Sequence, residues 1–532
     1  MGWAMSAFNE YEATKRLKEL AEKPIDLSKE GALTPKRLEQ MVASNLNLKL
    51  FYGTERVTEK VMDALCDLAK EAKVIDKMHA MQNGEIINKI EGYESEERSV
   101  LHTAMRDFFD RRVEAEAAKK ASTEAYAELE KLKMFLDTID KQNFTDIIQV
   151  GIGGSELGPK AIYLGLEAFS RPNRRAHFVS NVDPDDAANV LNRVDLGKTL
   201  VVIVSKSGST LETRTNEELV RKRFLDVGLS PQNHIIAVTG KGSPMDDPKK
   251  YRASFYMWDF VGGRYSATSM VGCVTLAFAI GMEKLLEFLK GAHAMDKVAL
   301  NEDPYQNLPL FSALLGIWNH NFLGLPTTAV IPYSQAMSRF PAHLQQCDME
   351  SNGKRIDKQG KLLDHWTGPI IWGEPGTNGQ HSFYQLIHQG TIPVPVEFVG
   401  FCKSQRGIDN EYEGTISQEK LLSNLFAQSI GLATGKKSDN PNKEFPGNRP
   451  TRILMAKQCD PYSIGAILAL YEHKVAFQGF IWNINSFDQE GVQLGKVLAN
   501  KIISQFQKMR KGEEFEKDFP LGAVYLNHLK EF

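Results

Sequence analysis

The chain has 532 residues, 42% of them apolar and 25% charged, which is ordinary for a globular protein and too long for one compact core. Its 64 basic and 67 acidic residues leave a net charge of -3, which argues against a nucleic-acid or membrane partner. Five scattered cysteines (Cys66, Cys273, Cys347, Cys402, Cys459) lack metal-ligand spacing and fit a reducing, cytoplasmic setting.

The N-terminus carries Glu10 and Glu12 and no hydrophobic signal core. Met1-Gly2-Trp-Ala-Met-Ser6 matches the bare myristoylation pattern, which is short enough to arise by chance. Residues 1 to about 140 show helical spacing and almost no strand signal: Leu17, Leu20 and Ala21, then Met62, Leu65, Cys66, Leu68 and Ala69. From about 145 to 260, apolar runs at Ile147–Val150, His177–Ser180, Leu200–Val204, His234–Val238 and Ser254–Trp258 alternate with helical segments, the rhythm of βαβ units and a parallel sheet. Met270 to Phe288 reads as an apolar helix, and its longest apolar stretch, near Met270–Met282, is expected to be too short and too interrupted to span a bilayer. The strand rhythm restarts with Thr327–Tyr333, Pro369–Trp372, Ile392–Phe401, Ile453–Lys457 and Ala476–Ile484. Thr434–Arg449 reads as a surface loop, and a helix from about Glu490 to Met509 precedes a short tail. The fold class expected is α/β: two parallel-sheet sandwich domains with a helical N-terminal region and C-terminal helices.

Two loops carry the first chemical signal. Thr199–Val204 breaks abruptly into Ser205-Lys206-Ser207-Gly208-Ser209-Thr210 ahead of a helix, so hydroxyls, backbone N–H groups and a helix dipole converge on one small volume. Such a turn suits a compact anion, or equally is a capped turn with no ligand. It lacks the spacing of a nucleotide P-loop. The second loop, Gly151-Ile-Gly-Gly154-Ser155, follows another strand, and its glycines permit close backbone approach. The pair looks like one phosphosugar pocket.

Further segments hold reactive side chains. Asp348 and Glu350 lie two apart before a helix end at Asn352-Gly353, so they face different directions. Arg264 sits on a glycine turn before an apolar helix, where it can aim a cation at an oxyanion or make a structural ion pair. Gly376-Thr-Asn-Gly-Gln-His381 leads into a short helix with His381 in its first turn, and His388 is an alternative two turns on. Lys496 opens the last long helix beside Gly495, which would allow close packing and an inward-facing Lys as well as the commoner snorkelling one.

These segments together resemble the phosphoglucose isomerase family over nearly the whole chain. The matching motifs are Gly151-Ile-Gly-Gly-Ser155, Ser205-Lys-Ser-Gly-Ser-Thr210, Gly262-Gly-Arg-Tyr-Ser266, Asp348-Met-Glu-Ser-Asn-Gly353, Gly376–His381 and Phe487-Asp-Gln-x-Gly-Val492. The resemblance implies two sugar-isomerase-type α/β domains: a helical region at 1–115, domains at 116–287 and 288–512, and a tail at 513–532. It implies reversible isomerisation of glucose 6-phosphate and fructose 6-phosphate without cofactor or metal. It implies that Gly154, Ser155, Ser205, Lys206, Ser207, Thr210 and Gln489 bind the substrate. Glu350 would be the base, Arg264 the oxyanion partner, and His381 and Lys496 the ring-opening groups. A homodimer with shared sites, His381 reaching the neighbouring subunit, is implied too. The family usually has Glu where this chain has Gln493, which removes a charge that could hold Lys496. A non-catalytic phosphosugar-binding regulator on the same fold, or an isomerase for another hexose phosphate such as mannose 6-phosphate, are the alternatives.

Overall fold

A computed structural model describes residues 8–110 and 113–532, so the myristoylation-like pattern at Met1–Ser6 lies outside the described residues. The chain divides into two units, one running to Phe487 and the other Asp488–Phe532.

The strands of the first unit, in chain order, are β1 (Val42–Asn45), β2 (Leu48–Phe51), β3 (Asp146–Val150), β4 (Arg175–Val179), β5 (Thr199–Ser205), β6 (Ile235–Gly240), β7 (Ala253–Met257), β8 (Thr327–Pro332), β9 (Ile370–Trp372), β10 (Val396–Lys403), β11 (Glu411–Tyr412), β12 (Thr415–Ile416) and β13 (Thr451–Gln458). One five-stranded sheet has the order β4-β3-β5-β6-β7, parallel throughout. β5 is buried along its whole length, which is why its sequence is a continuous apolar run rather than an alternating one. The six-stranded sheet runs β1-β2-β13-β10-β8-β9, with parallel pairing from β13 to β9.

Three expectations need correction. The N-terminal region contributes β1 and β2, an antiparallel hairpin that extends the second sheet by pairing Leu50 with Leu454. Its turn places Leu46 and Asn47 at φ of 50° and 63°, and a leucine in that conformation is not a turn signal, so the hairpin does not stand out in the sequence. Ala476–Ile484 is not a strand: it falls mainly in the helix Pro461–Trp482, which is buried on every side. A helix that is apolar all round loses the 3.6-residue period that would separate it from a buried strand. The apolar helix also runs beyond Phe288 to Val298, and by length and composition Gly263–Val298 could cross a membrane. Its helical path breaks at Gly281 (φ 82°), and most of its apolar window is buried inside the protein.

That helix, Met270–Val298, and Pro461–Trp482 form the centre of the first unit. A Cβ on Gly291 would lie 1.9 Å from the Tyr462 carbonyl oxygen, and one on Gly465 would lie 1.9 Å from that of Phe288. The backbones therefore touch, and only glycine fits at either position. A buried ionic cluster locks the same helices to the turn His102–Arg106. The Arg106 guanidinium donates to both Asp296 oxygens at 2.7 and 2.8 Å and to Glu472 at 2.8 Å, while His473 bonds Asp296 at 2.7 Å.

In the second unit, the helices Gln493–Lys511 and Pro520–Leu529 close over Phe515, Ala523 and Leu526. The buried Gln505 amide joins them by donating to the carbonyls of Phe515 and Phe519, both at 2.9 Å.

Gly465→Ala is expected to force the two central helices apart and cost about 3 kcal/mol, the upper end for overpacking. Denaturant titration checks this, and an unchanged midpoint contradicts the contact.

Candidate active site

The ends of β3, β5, β6 and β7 lie along one edge of the first sheet, because all its strands are parallel. This is where ligands bind in such sheets. Ser205 ends β5, and Gly208 turns the chain at φ 66°. The helix Leu211–Asp226 then starts without a side-chain cap from Thr210, whose hydroxyl lies 3.0 Å from that of Ser205 instead. Ser209 donates to the Ser207 hydroxyl from both its backbone N–H, at 3.2 Å, and its own hydroxyl, at 2.8 Å. Ser207 is exposed and Ser205 buried, so the loop offers hydroxyls from floor to mouth. Lys206 donates to the Val261 carbonyl at 3.3 Å. Burial, helped by the Arg98 charge, holds its ammonium below the usual range against Asp259 and Glu96.

Val261 leads into the turn Gly263–Tyr265, which carries Arg264. The glycine loop after β3 packs directly on it: a Cβ on Gly154 would sit 2.3 Å from the Gly263 carbonyl. Ser155 is half-buried in the same loop. Arg264 is held on each of its nitrogens. Its Nε donates to Ser351 Oγ at 2.7 Å, Nη2 to the Ser486 carbonyl at 2.7 Å, and Nη1 to Glu350 Oε2 at 3.2 Å. The Arg264 side chain is 1% exposed and that of Glu350 21%, so the cation is enclosed while the carboxylate still meets the solvent-filled mouth.

Glu350 ends a π-helical turn, Gln345–Glu350, a wide-turn geometry that is frequent at functional sites. As expected, Asp348 points elsewhere: it is buried, and one of its oxygens has no hydrogen-bond partner. Burial pushes its carboxyl up to about 7, with Lys474 pulling it down and Glu397 pushing it up.

Contacts thus link the anion loop, the glycine loop, Arg264 and Glu350. His381 is not joined to them by any contact of its own. It is exposed, its imidazole has no partner among the described residues, and it ends the short turn Asn378–His381 rather than opening the helix. That helix, Tyr384–Gln389, starts later because Ser382 and Phe383 both bond back to the Gly379 carbonyl. His388 bonds Gln428 at 2.7 Å and packs edge-on against Phe445, a structural role. Gln489 is half-buried and Lys496 exposed in the second unit. Among the described residues nothing lies within 4 Å of a Cβ on Gly495, so the close packing that it would permit is not seen.

The residues that hold Arg264 were missed in the sequence. Ser351 and Tyr265 each flank a chosen residue, and their hydroxyls lie 2.8 Å apart. His102 stacks on the Tyr265 ring at 4.8 Å, and burial holds its imidazole well below the usual range. A hydroxyl beside a candidate site residue looks like any other until the fold shows what it faces. Among the described residues one trio, Asp107, Asp110 and His293, has metal-ligand spacing, but Asp110 is already paired with Lys297 and His293.

A hydroxyl-lined loop beside a fixed guanidinium–carboxylate pair, at the carboxyl edge of a parallel sheet, fits an isomerase of the sugar-phosphate class. The phosphoglucose isomerase family model matches residues 51–519. The chain is 57% identical to the glucose-6-phosphate isomerase of Protochlamydia amoebophila (strain UWE25), over 99% of this chain and 98% of that one. It is 53% identical to that of Desulfotalea psychrophila, over 97% of each. The crystal structure of a glucose-6-phosphate isomerase from Chlamydia trachomatis D/UW-3/Cx superposes with a TM-score of 0.94 at 50% identity, covering 99% of both chains. The chain belongs to the phosphoglucose isomerase family.

The buried Asp348 carboxyl binds a proton in the folded state between its ordinary value, near 4, and about 7, where the unfolded chain has released it. Stability therefore falls as pH rises through that window and does not return above it. Asp348→Asn is expected to flatten this decline and to raise the denaturation midpoint at pH 8 but not at pH 5. An identical pH profile in the variant refutes the assignment.

Proposed function

We propose that this protein interconverts glucose 6-phosphate and fructose 6-phosphate in the cytoplasm as a homodimer. The observation that carries the reading is the pinned Arg264–Glu350 pair, 3.2 Å apart and next to the anion loop. Ser155, Ser205, Lys206, Ser207 and Thr210 hold the phosphate, with Gln489 nearby. Gly154 lets the glycine loop come close enough to add its backbone.

The reaction moves a proton between adjacent carbons beside a carbonyl. Glu350, as carboxylate, takes the proton from one carbon and returns it to the other, while charge develops on the enediolate oxygens. Arg264 meets that charge without reorganising, because Ser351 and the Ser486 carbonyl already fix its orientation. The ring must open first, which needs proton exchange at the ring oxygen and the anomeric hydroxyl. We assign this to Lys496 and to a His381 supplied by the second subunit. An exposed imidazole with no partner among the described residues supports that assignment. A domain division at 116–287 and 288–512 would give the first domain the five-stranded sheet and the second the parallel strands β13-β10-β8-β9, to which the N-terminal region adds β1 and β2.

Coupled-enzyme assay of purified protein in the presence of a chelator tests the activity. Glu350→Gln is expected to lower kcat by about 1000-fold while leaving competition by inorganic phosphate nearly unchanged. Near-normal turnover contradicts the base assignment. Heterodimers of Glu350→Gln and His381→Ala chains test the shared site. One of their two sites keeps both residues, so activity should return to about half per dimer although both homodimers are inactive. Verified heterodimers without recovery place His381 in its own chain's site.

A further inference from the structure

A cavity of about 200 Å³ between Lys77 and Lys358 has no part in the chemistry above and shares no lining residue with the Ser205–Thr210 loop or the Arg264–Glu350 pair. Lys77 projects from the helix Val74–Asn83 and donates to the Phe480 carbonyl at 2.9 Å. Lys358 follows the Glu350 segment and donates to the Ile87 carbonyl at 2.6 Å. Neither ammonium forms an ion pair among the described residues. The wall between them is apolar, with Ile87, Phe480 and Ile484. The charged groups around it are Glu85, Lys89 and Glu91, with Lys73 acting on Lys77 from its own helix, and Lys89 is turned toward Glu97 at 3.7 Å.

Two cations facing one apolar-walled cavity, each satisfied only by a carbonyl, form an incomplete electrostatic arrangement. Burial, then the Lys358 and Lys73 charges, push Lys77 down to about 7, and burial pushes Lys358 down to about 8 against the pull of Glu91. An anion between them would restore both charges. We propose that this cavity is a second anion site that takes a compact organic dianion of the short dicarboxylate class, one carboxylate on each ammonium and the carbon chain against Phe480 and Ile484.

The test is calorimetric titration of the full-length protein with succinate at pH 8, in two buffers of different ionisation enthalpy. We expect saturable binding of one succinate per chain with uptake of protons from the buffer, because pairing raises both lysines. Lys77→Met and Lys358→Met keep the apolar stems, and each should weaken binding about tenfold or more. Lys358→Arg keeps the charge but cannot titrate. It should retain binding while proton uptake drops, which also covers a Met variant that fails to fold. Replacing Ser205, Ser207 and Thr210 together with Ala should leave succinate binding unchanged. Absence of succinate binding, binding as tight as the parent's in both Met variants, or loss of binding in the Ser/Thr variant each overturns the proposal; the last would place succinate in the phosphate loop.

Discussion

The backbone contact between Met270–Val298 and Pro461–Trp482 is the constraint on which the rest depends. Gly291 meets Tyr462 near the end of one helix and the start of the other, so the helices run antiparallel. Their opposite ends therefore return to a common place. Arg264 stands just before the first helix and Ser486 just after the second, and there the guanidinium donates to the carbonyl. Two residues 222 apart in sequence are brought within 2.7 Å by a crossing that glycine alone permits.

Around that crossing the protein separates buried charge of two kinds. The Arg106–Asp296–Glu472–His473 cluster is closed to solvent and tied together by hydrogen bonds, so it fixes the turn beneath Tyr265. Arg264 is equally buried, yet one of its edges faces a carboxylate that still reaches the mouth of the site. The difference lies in what surrounds each guanidinium. The first is enclosed by buried carboxylates, and the second borders the partly exposed Glu350.

The sheet that carries the anion loop was legible in the sequence because its strands are short apolar runs ended by glycine and hydroxyl residues. Ser205–Thr210 and Gly151–Ser155 could be read as one site because parallel strands put their ends on one edge. Glu350 and Arg264 were legible as residues of the right chemical type, and the ordered motifs made a common site for them an expectation. The hairpin at Val42–Phe51 and the helix over Ala476–Trp482 were not legible. In both, tertiary burial rather than local pattern decides the conformation. Ser351, Tyr265 and the Ser486 carbonyl escaped notice for a related reason: their role is defined by what Arg264 needs, and that is visible only once distant segments meet.

The same antiparallel return sets the order in which the site can exist during synthesis. The anion loop, the glycine loop and Arg264 all belong to the first 264 residues and leave the ribosome early, able to build a local sheet from short-range βαβ contacts. The carbonyl that orients Arg264 emerges only after the second helix is complete, near the end of the chain. The bond that orients Arg264 therefore forms only when the last core helix has docked, so the alignment of this cation reports on the whole of the first unit and not on the first sheet alone.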